Sequence, residues 1–120
     1  MKFNTLGPTG LLVSEICLGT MTFSTGEGMW KPIAGVDQKL ADEILKRSFD
    51  AGVNFVDTAD VYTNGESEKT LANAISNLGI PRKDLVIATK VYGRTGKGRN
   101  VVGFATGDQL AIAHDLAVHP

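Results

Sequence analysis

The sequence has few of the features that mark secreted, nucleic-acid-binding or membrane-spanning proteins. It holds a single cysteine, Cys17, among 120 residues, so it can form neither an internal disulfide nor a cysteine-based zinc site. Its 12 Lys and Arg against 13 Asp and Glu exclude the broad basic footprint of a nucleic-acid-binding protein. The longest apolar runs, residues 85–88 and 110–113, are far too short for a membrane span. We therefore expect a cytoplasmic chain without a nucleic-acid or membrane partner.

Short apolar segments, separated by turn and loop residues, predict the strands of the fold. Residues 3–6 and 11–13 flank a Gly-Pro-Thr-Gly turn and predict a small β-hairpin. Short apolar runs at 15–20, 53–58 and 85–91 predict buried strands. The glycine-rich stretch that follows the first of these runs is predicted to be a loop.

Two helices are predicted between these strands. Asp37 is placed to cap the first helix, and Gly52 to end it in the left-handed conformation. Glu66 favours the start of the second helix, and Gly79 and Pro81 end it. The predicted buried faces consist of apolar residues at helical spacing, namely Val36, Leu40, Ala41, Ile44, Leu45 and Phe49 in the first helix and Leu71, Ala72, Ile75 and Leu78 in the second.

The order strand, helix, strand, helix, strand is typical of a parallel α/β sheet, because each helix returns the chain to the same end of the sheet. Two architectures have this order, an open doubly wound sheet and a (β/α) barrel. Residues 19–22 lack the glycine pattern that binds dinucleotides in the open sheet. The glycines within residues 93–98 also fail the phosphate-loop pattern, so an ordinary loop is favoured there.

Three residues that can carry chemistry follow the predicted strands. Asp57 ends one strand, Tyr62 lies in the loop after it, and Lys90 lies near the end of the next strand. The carboxyl ends of parallel strands share one edge, which is the usual place for an active site. A free tyrosine has a pKa of about 10, and an ammonium beside it favours the phenolate, so such a group can act as a proton donor. The same spacing also fits a structural ion pair with a tyrosine packed over it.

Several stretches of the chain resemble the N-terminal part of the aldo-keto reductases. They are LGPTG at 6–10, VSEICLGTM at 13–21, DAGVNFVDTADVY at 50–62, GESE at 65–68 and VIATKV at 86–91. The resemblance covers about residues 3–100. It implies the N-terminal portion of a (β/α)₈ barrel, with about three βα units after the hairpin. Residues 1–99 would form this portion, and residues 100–120 would be a divergent tail without a domain of its own.

The resemblance also implies a function, the NADPH-dependent reduction of an aldehyde or ketone. Tyr62 would donate a proton to the carbonyl oxygen of a small substrate, and Lys90 and Asp57 would tune it. Asp60 and Tyr92 are the nearest competitors for these roles, but neither fits the family's spacing. No metal is expected. The cofactor contacts implied by the resemblance are Gly19, Thr20, Met21 and Asp57.

The sequence departs from the family pattern in its last part. The family's catalytic histidine has no match, because His114 and His119 lie in the tail and are expected to be exposed. A complete barrel needs about 250 residues. The loops after strands 7 and 8, which usually hold the cofactor phosphate, are not part of the three predicted βα units. Residues 108–118 could form a weak helix. Codons can be chosen for the residues from Phe104 onward so that, read one base later, they encode an amino-acid sequence similar to that of the family. This similarity suggests a shifted reading frame.

These departures support a second hypothesis, that the chain is a catalytically inert fragment. Both outer strands of the predicted sheet would lack a partner, and such edges favour self-association. The side chains expected to line a barrel interior without an opposite wall are Val53, Phe55, Val86 and Ala88.

Overall fold

The computed structural model describes residues 1–91 and 110–111. It begins with an antiparallel hairpin of β1 (Phe3–Thr5) and β2 (Leu12–Ser14), which a 3₁₀ turn at Gly7–Thr9 joins. The predicted hairpin is therefore confirmed.

The larger sheet contains the three predicted parallel strands. They are β3 (Cys17–Gly19), β4 (Phe55–Asp57) and β5 (Val86–Lys90). The register places Gly19, Asp57 and Ala88 side by side. Because paired residues of parallel strands point to the same face, Asp57 shares its face of the sheet with Ala88 and, two residues further along β5, with Lys90.

Two helices of the described residues connect these strands, α1 (Gln38–Asp50) and α2 (Glu66–Leu78). Neither is long and apolar enough to cross a membrane. They pack on each other and on the sheet face opposite Asp57, where they bury a common core. The buried members of this core are Phe23, Ala41, Leu45, Val56, Leu71, Ala74, Ile80 and Leu85.

The ends of both helices follow the sequence signals. Asp37 caps α1, because its Oδ1 accepts a hydrogen bond from the backbone N–H of Leu40 at 2.9 Å. Gly52 lies just beyond α1 with φ 89°, and Gly79 follows α2 with φ 62°. Both angles lie in the left-handed region that glycine adopts without steric cost, which explains why each helix ends where the sequence predicts.

Two residues of the predicted apolar faces are exposed instead. Leu40 has 43% of its surface exposed, because it lies one position round the helix from the buried stripe that begins at Ala41. Ala72 is also exposed. The buried stripe of α2 runs through Leu71 and Ala74, three residues apart, so Ala74 takes the core position predicted for Ala72.

The outer edge of β5 has a partner among the described residues. A short strand, β6 (Leu110–Ala111), runs antiparallel to it and pairs with Thr89 and Lys90. The weak helix predicted over residues 108–118 is therefore wrong at these two positions, which are extended because they continue the hydrogen-bonded ladder of β5. The rest of that segment lies outside the described residues.

The face of the sheet that carries Asp57 is less open than the sequence suggests. Val53 and Ala88 are 7% and 1% exposed, whereas Phe55 and Val86 are half-buried. The hairpin is hydrogen-bonded to Asn54, the residue that follows Val53.

Asn54 joins the hairpin to the parallel sheet. Its Oδ1 accepts a hydrogen bond from the backbone N–H of Ser14 at 2.8 Å, and its Nδ2 donates to the carbonyl of Leu12 at 3.0 Å. The hydroxyl of Ser14 in turn accepts from the backbone N–H of Asn54 at 3.2 Å. Three bonds across about 40 positions of sequence therefore fix the hairpin against β4.

We expect Asn54→Ala to lower the free energy of unfolding by about 1–3 kcal/mol, because it leaves the buried N–H of Ser14 without its acceptor. Urea denaturation measures this difference. Asn73→Ala is the matched control, since Asn73 is exposed and makes a single bond of 3.3 Å to Gln38. Equal losses in the two variants would contradict the role given to Asn54.

Candidate active site

An ion pair links the carboxyl ends of two adjacent parallel strands. The ammonium of Lys90, the last residue of β5, lies 2.6 Å from Oδ2 of Asp57, the last residue of β4. The same ammonium donates a second hydrogen bond of 2.9 Å to the carbonyl of Thr58. The side chains of Lys90 and Asp57 are 35% and 31% exposed, so the pair remains open to a ligand.

The surroundings of Lys90 favour its charged form. Partial burial alone would lower the pKa of Lys90, since desolvation penalises the ammonium. The hydrogen bond and negative charge of Asp57, together with the contribution of Tyr62, outweigh that penalty and raise the pKa of Lys90 above its ordinary value. Lys90 is therefore a permanent cation at neutral pH.

Tyr62 lies against this cation. The Lys90 Nζ is 5.2 Å from the centre of the Tyr62 ring, within the range of a cation–π interaction. Tyr62 is half-buried, and it begins the short segment Tyr62–Gly65 that leads into α2. The structure thus brings together Asp57, Tyr62 and Lys90, the three residues singled out from the sequence.

A second aromatic residue, Trp30, packs against Tyr62. The two ring centres are 6.2 Å apart, and the planes meet at 71°, an edge-to-face arrangement. Sequence reasoning assigned the glycine-rich segment around Trp30 to a loop and missed this contact. The one signal for it was the presence of the chain's only tryptophan within that loop.

The loop that carries Trp30 is held at both ends. The backbone N–H of Ser24 donates to the carbonyl of Val36 at 2.7 Å, and the N–H of Val36 donates to the carbonyl of Thr22 at 3.1 Å. Inside the loop, Gly26 lies so close to Trp30 that a Cβ on Gly26 would be 2.6 Å from the tryptophan Cβ. Only glycine fits there, and this close approach fixes the position of Trp30.

The residues that the family resemblance implies as cofactor contacts differ in their exposure. Gly19 and Met21 are exposed at the carboxyl end of β3, and a Cβ on Gly19 would meet no atom within 4 Å. Thr20 is fully buried, and its backbone N–H and hydroxyl both donate to the carbonyl of Asp57, at 2.9 and 3.1 Å. Its side chain therefore holds the backbone of Asp57.

The N-terminus of α2 braces the same strand ends. The hydroxyl of Ser67 is completely buried and donates to the carbonyl of Thr20 at 2.7 Å. Oε1 of Glu68 accepts a hydrogen bond of 2.7 Å from the hydroxyl of Thr89, the neighbour of Lys90. The first turn of α2 therefore ties together β3 and β5, the strands on either side of Asp57.

Cys17 lies on the same face of the sheet as Asp57, two residues before Gly19. Partial desolvation and the negative charge of Asp57 raise the pKa of its thiol above the ordinary value, against a smaller opposing effect of Lys90. This shift disfavours the thiolate, which is the nucleophilic form of cysteine.

Asp60, the nearest competitor for the role of Asp57, lies beside Lys90, and its backbone N–H donates to the carbonyl of Lys90 at 3.0 Å. Asp60 is half-buried, and its Oδ1 has no hydrogen-bond partner among the described residues. Tyr92, His114 and His119 lie outside the described residues. No group of three or more His, Cys, Asp or Glu within residues 1–91 and 110–111 could hold a metal ion.

We expect Gly26→Ala to displace Trp30 from Tyr62, since the added methyl group would overlap the tryptophan Cβ. Overpacking of this kind costs about 1–3 kcal/mol of stability, and the fluorescence emission of the sole tryptophan reports the displacement. Gly35→Ala is the matched control in the same loop, because a Cβ there meets no atom within 4 Å. An unchanged emission spectrum in Gly26→Ala would contradict the close packing of Gly26 on Trp30.

Comparison with known proteins matches the chain to the family model "Aldo/keto reductase family" over residues 15–115. The chain is 37% identical over 117 residues to an aldo-keto reductase of Fusarium vanettenii, and 40% identical over 112 residues to aldo-keto reductase dtxS3 of Metarhizium robertsii. These alignments cover 98% and 93% of the chain but 30% and 29% of the relatives. The match extends past residue 99, and the domain boundary placed there stays a prediction.

A solved structure gives the same result for the fold. The holo form of an aldo-keto reductase from Bacillus halodurans superposes with a TM-score of 0.65 at 32% identity, over 84% of this chain and 29% of that one. This confirms the predicted N-terminal portion of a (β/α)₈ barrel. The chain belongs to the aldo/keto reductase family of oxidoreductases.

Proposed function

We propose that this chain carries the proton-donating part of an NADPH-dependent carbonyl reductase site, with Tyr62 as the donor to an aldehyde or ketone. The observation that carries the proposal is the contact of Lys90 with both partners, 2.6 Å from Asp57 and 5.2 Å from the centre of the Tyr62 ring. An ion pair that served only to join two strands would not need an aromatic hydroxyl beside it. Membership of the family supports the same assignment.

The carboxyl end of β3 is exposed beside this pair, which supports the proposal that a nicotinamide cofactor binds there. Gly19 is exposed with open space above it, Met21 follows it at the surface, and Asp57 lies next to Gly19 in register. Gly19, Met21, the backbone around Thr20 and the carboxylate of Asp57 would hold the nicotinamide end of the cofactor. When bound, NADPH supplies the hydride for the carbonyl carbon.

The residues of the chain supply the proton. The Tyr62 hydroxyl donates it to the carbonyl oxygen as negative charge develops there, and the Lys90 ammonium stabilises the phenolate that remains. Asp57 holds the ammonium in place and keeps it charged, which its short hydrogen bond and its effect on the pKa of Lys90 support. Trp30 would exclude water from one side of the tyrosine ring.

The test replaces the matching N-terminal segment of the Bacillus halodurans reductase with residues 1–91 of this chain. We expect the hybrid to reduce an aldehyde with NADPH, and Tyr62→Phe to lower the rate of reduction by about 10²- to 10⁴-fold, because a positioned acid contributes that much. The affinity for NADPH, measured by fluorescence titration, should change little, since only the proton donor is lost.

Cys17→Ala is the control in the same hybrid, because the side chain of Cys17 has no part in the proposed reaction. Full activity of Tyr62→Phe would contradict the role of Tyr62. The same titration on the 120-residue chain alone addresses the rival hypothesis of an inert, self-associating fragment. Micromolar binding of NADPH favours the reductase, and absence of binding favours the fragment.

A further inference from the structure

The backbone directly after Tyr62 is strained. Thr63 has φ 50° and ψ 37°, and Asn64 has φ 56° and ψ 38°, so both lie in the left-handed region. Gly65 follows with φ 91°. Asparagine and glycine tolerate this conformation, but for a β-branched residue such as threonine it is a genuine outlier. Local backbone energetics alone would favour glycine at position 63.

The surroundings of Thr63 supply what offsets this strain. Its side chain is 5% exposed, and its hydroxyl donates a buried hydrogen bond of 3.3 Å to the carbonyl of Phe23. Phe23 is 1% exposed and belongs to the core between the sheet and the helices. The bond therefore anchors the segment after Tyr62 to a rigid part of the molecule.

Phe23 also begins the loop that carries Trp30. Ser24 and Val36 close the base of this loop through a backbone bond of 2.7 Å, and Trp30 at its far side contacts the ring of Tyr62. Thr63 thus connects the two segments whose aromatic side chains meet. Strained residues of this kind persist where the surrounding structure determines them, and they cluster at functional sites.

We propose that Thr63 is a positioning residue for Tyr62, because its buried hydroxyl bond to Phe23 holds the left-handed turn that keeps the tyrosine ring in contact with Trp30 and Lys90. Asn64 has the same backbone conformation but is exposed, so it contributes the turn without the anchor. The inference rests on the role proposed for Tyr62.

The test measures the contact between Trp30 and Tyr62 by nuclear Overhauser effects between their ring protons in the full 120-residue chain, which contains one tryptophan and two tyrosines. In Thr63→Val, which keeps the branched shape and loses the hydroxyl, we expect the effect to weaken by roughly two- to ten-fold, as for the loss of one hydrogen bond. Thr63→Ser should restore it, because serine keeps the hydroxyl. Methyl resonances of Leu45 and Val56 report whether the core remains folded.

Thr63→Gly keeps the test decisive if Thr63→Val does not fold. Glycine adopts the left-handed conformation without strain, so this variant should fold and yet lose the contact between the rings. Asn64→Gly is the matched control and should keep it. Wild-type intensity in a folded Thr63→Val or Thr63→Gly, or an equal loss in Asn64→Gly, would overturn the proposal.

The readout requires neither cofactor nor turnover, so the two proposals can fail separately. An active hybrid in which the Thr63 variants leave the ring contact unchanged would refute the positioning role alone. A Tyr62→Phe hybrid with full activity would refute the proton donor, whatever the spectra of the Thr63 variants show.

Discussion

The ion pair between Lys90 and Asp57 is the interaction on which the proposed chemistry depends. It forms because two parallel strands end at the same edge and the register places Asp57 beside Ala88, two residues before Lys90 on the same face. Few groups could stabilise either charge at the end of two otherwise apolar strands. The pairing therefore fixes both side chains, and the ammonium becomes a fixed positive charge beneath the ring of Tyr62.

The start of α2 keeps the strand ends in place around this pair. The buried bond from Ser67 to Thr20 holds β3, and the bond between Thr89 and Glu68 holds β5. Between them, Thr20 binds the backbone of Asp57. The helix thus braces the end of the sheet that carries Asp57 and Lys90, while its apolar stripe contributes to the core on the other face. The same first turn follows directly on the left-handed segment after Tyr62, so Tyr62 and the residues that brace the strand ends lie in one short stretch of chain.

The sequence predicted those features that depend on local pattern or on strand order. The helix cap at Asp37 and the glycines that end both helices have local causes, and the meeting of Asp57 with Lys90 follows from parallel strands alone. The packing of Trp30 on Tyr62 could not be predicted, because it depends on backbone bonds across a loop and on the close approach at Gly26. Pairing between distant segments also decided the extended conformation of Leu110 and Ala111, for which the local pattern favoured a helix.

The ion pair between Lys90 and Asp57 is formed entirely within this chain, and the proposed role of Tyr62 depends on it. The most direct measurement is a pH titration of Lys90, followed by ¹³C NMR at its ε carbon, in the wild-type chain and in Asp57→Asn. Desolvation lowers the pKa of Lys90, and the hydrogen bond and charge of Asp57 are the main interactions that raise it. Asp57→Asn removes the charge. We therefore expect a wild-type midpoint above the ordinary lysine value of 10.5 and a distinctly lower midpoint in the variant. The same midpoint in both proteins would contradict the account.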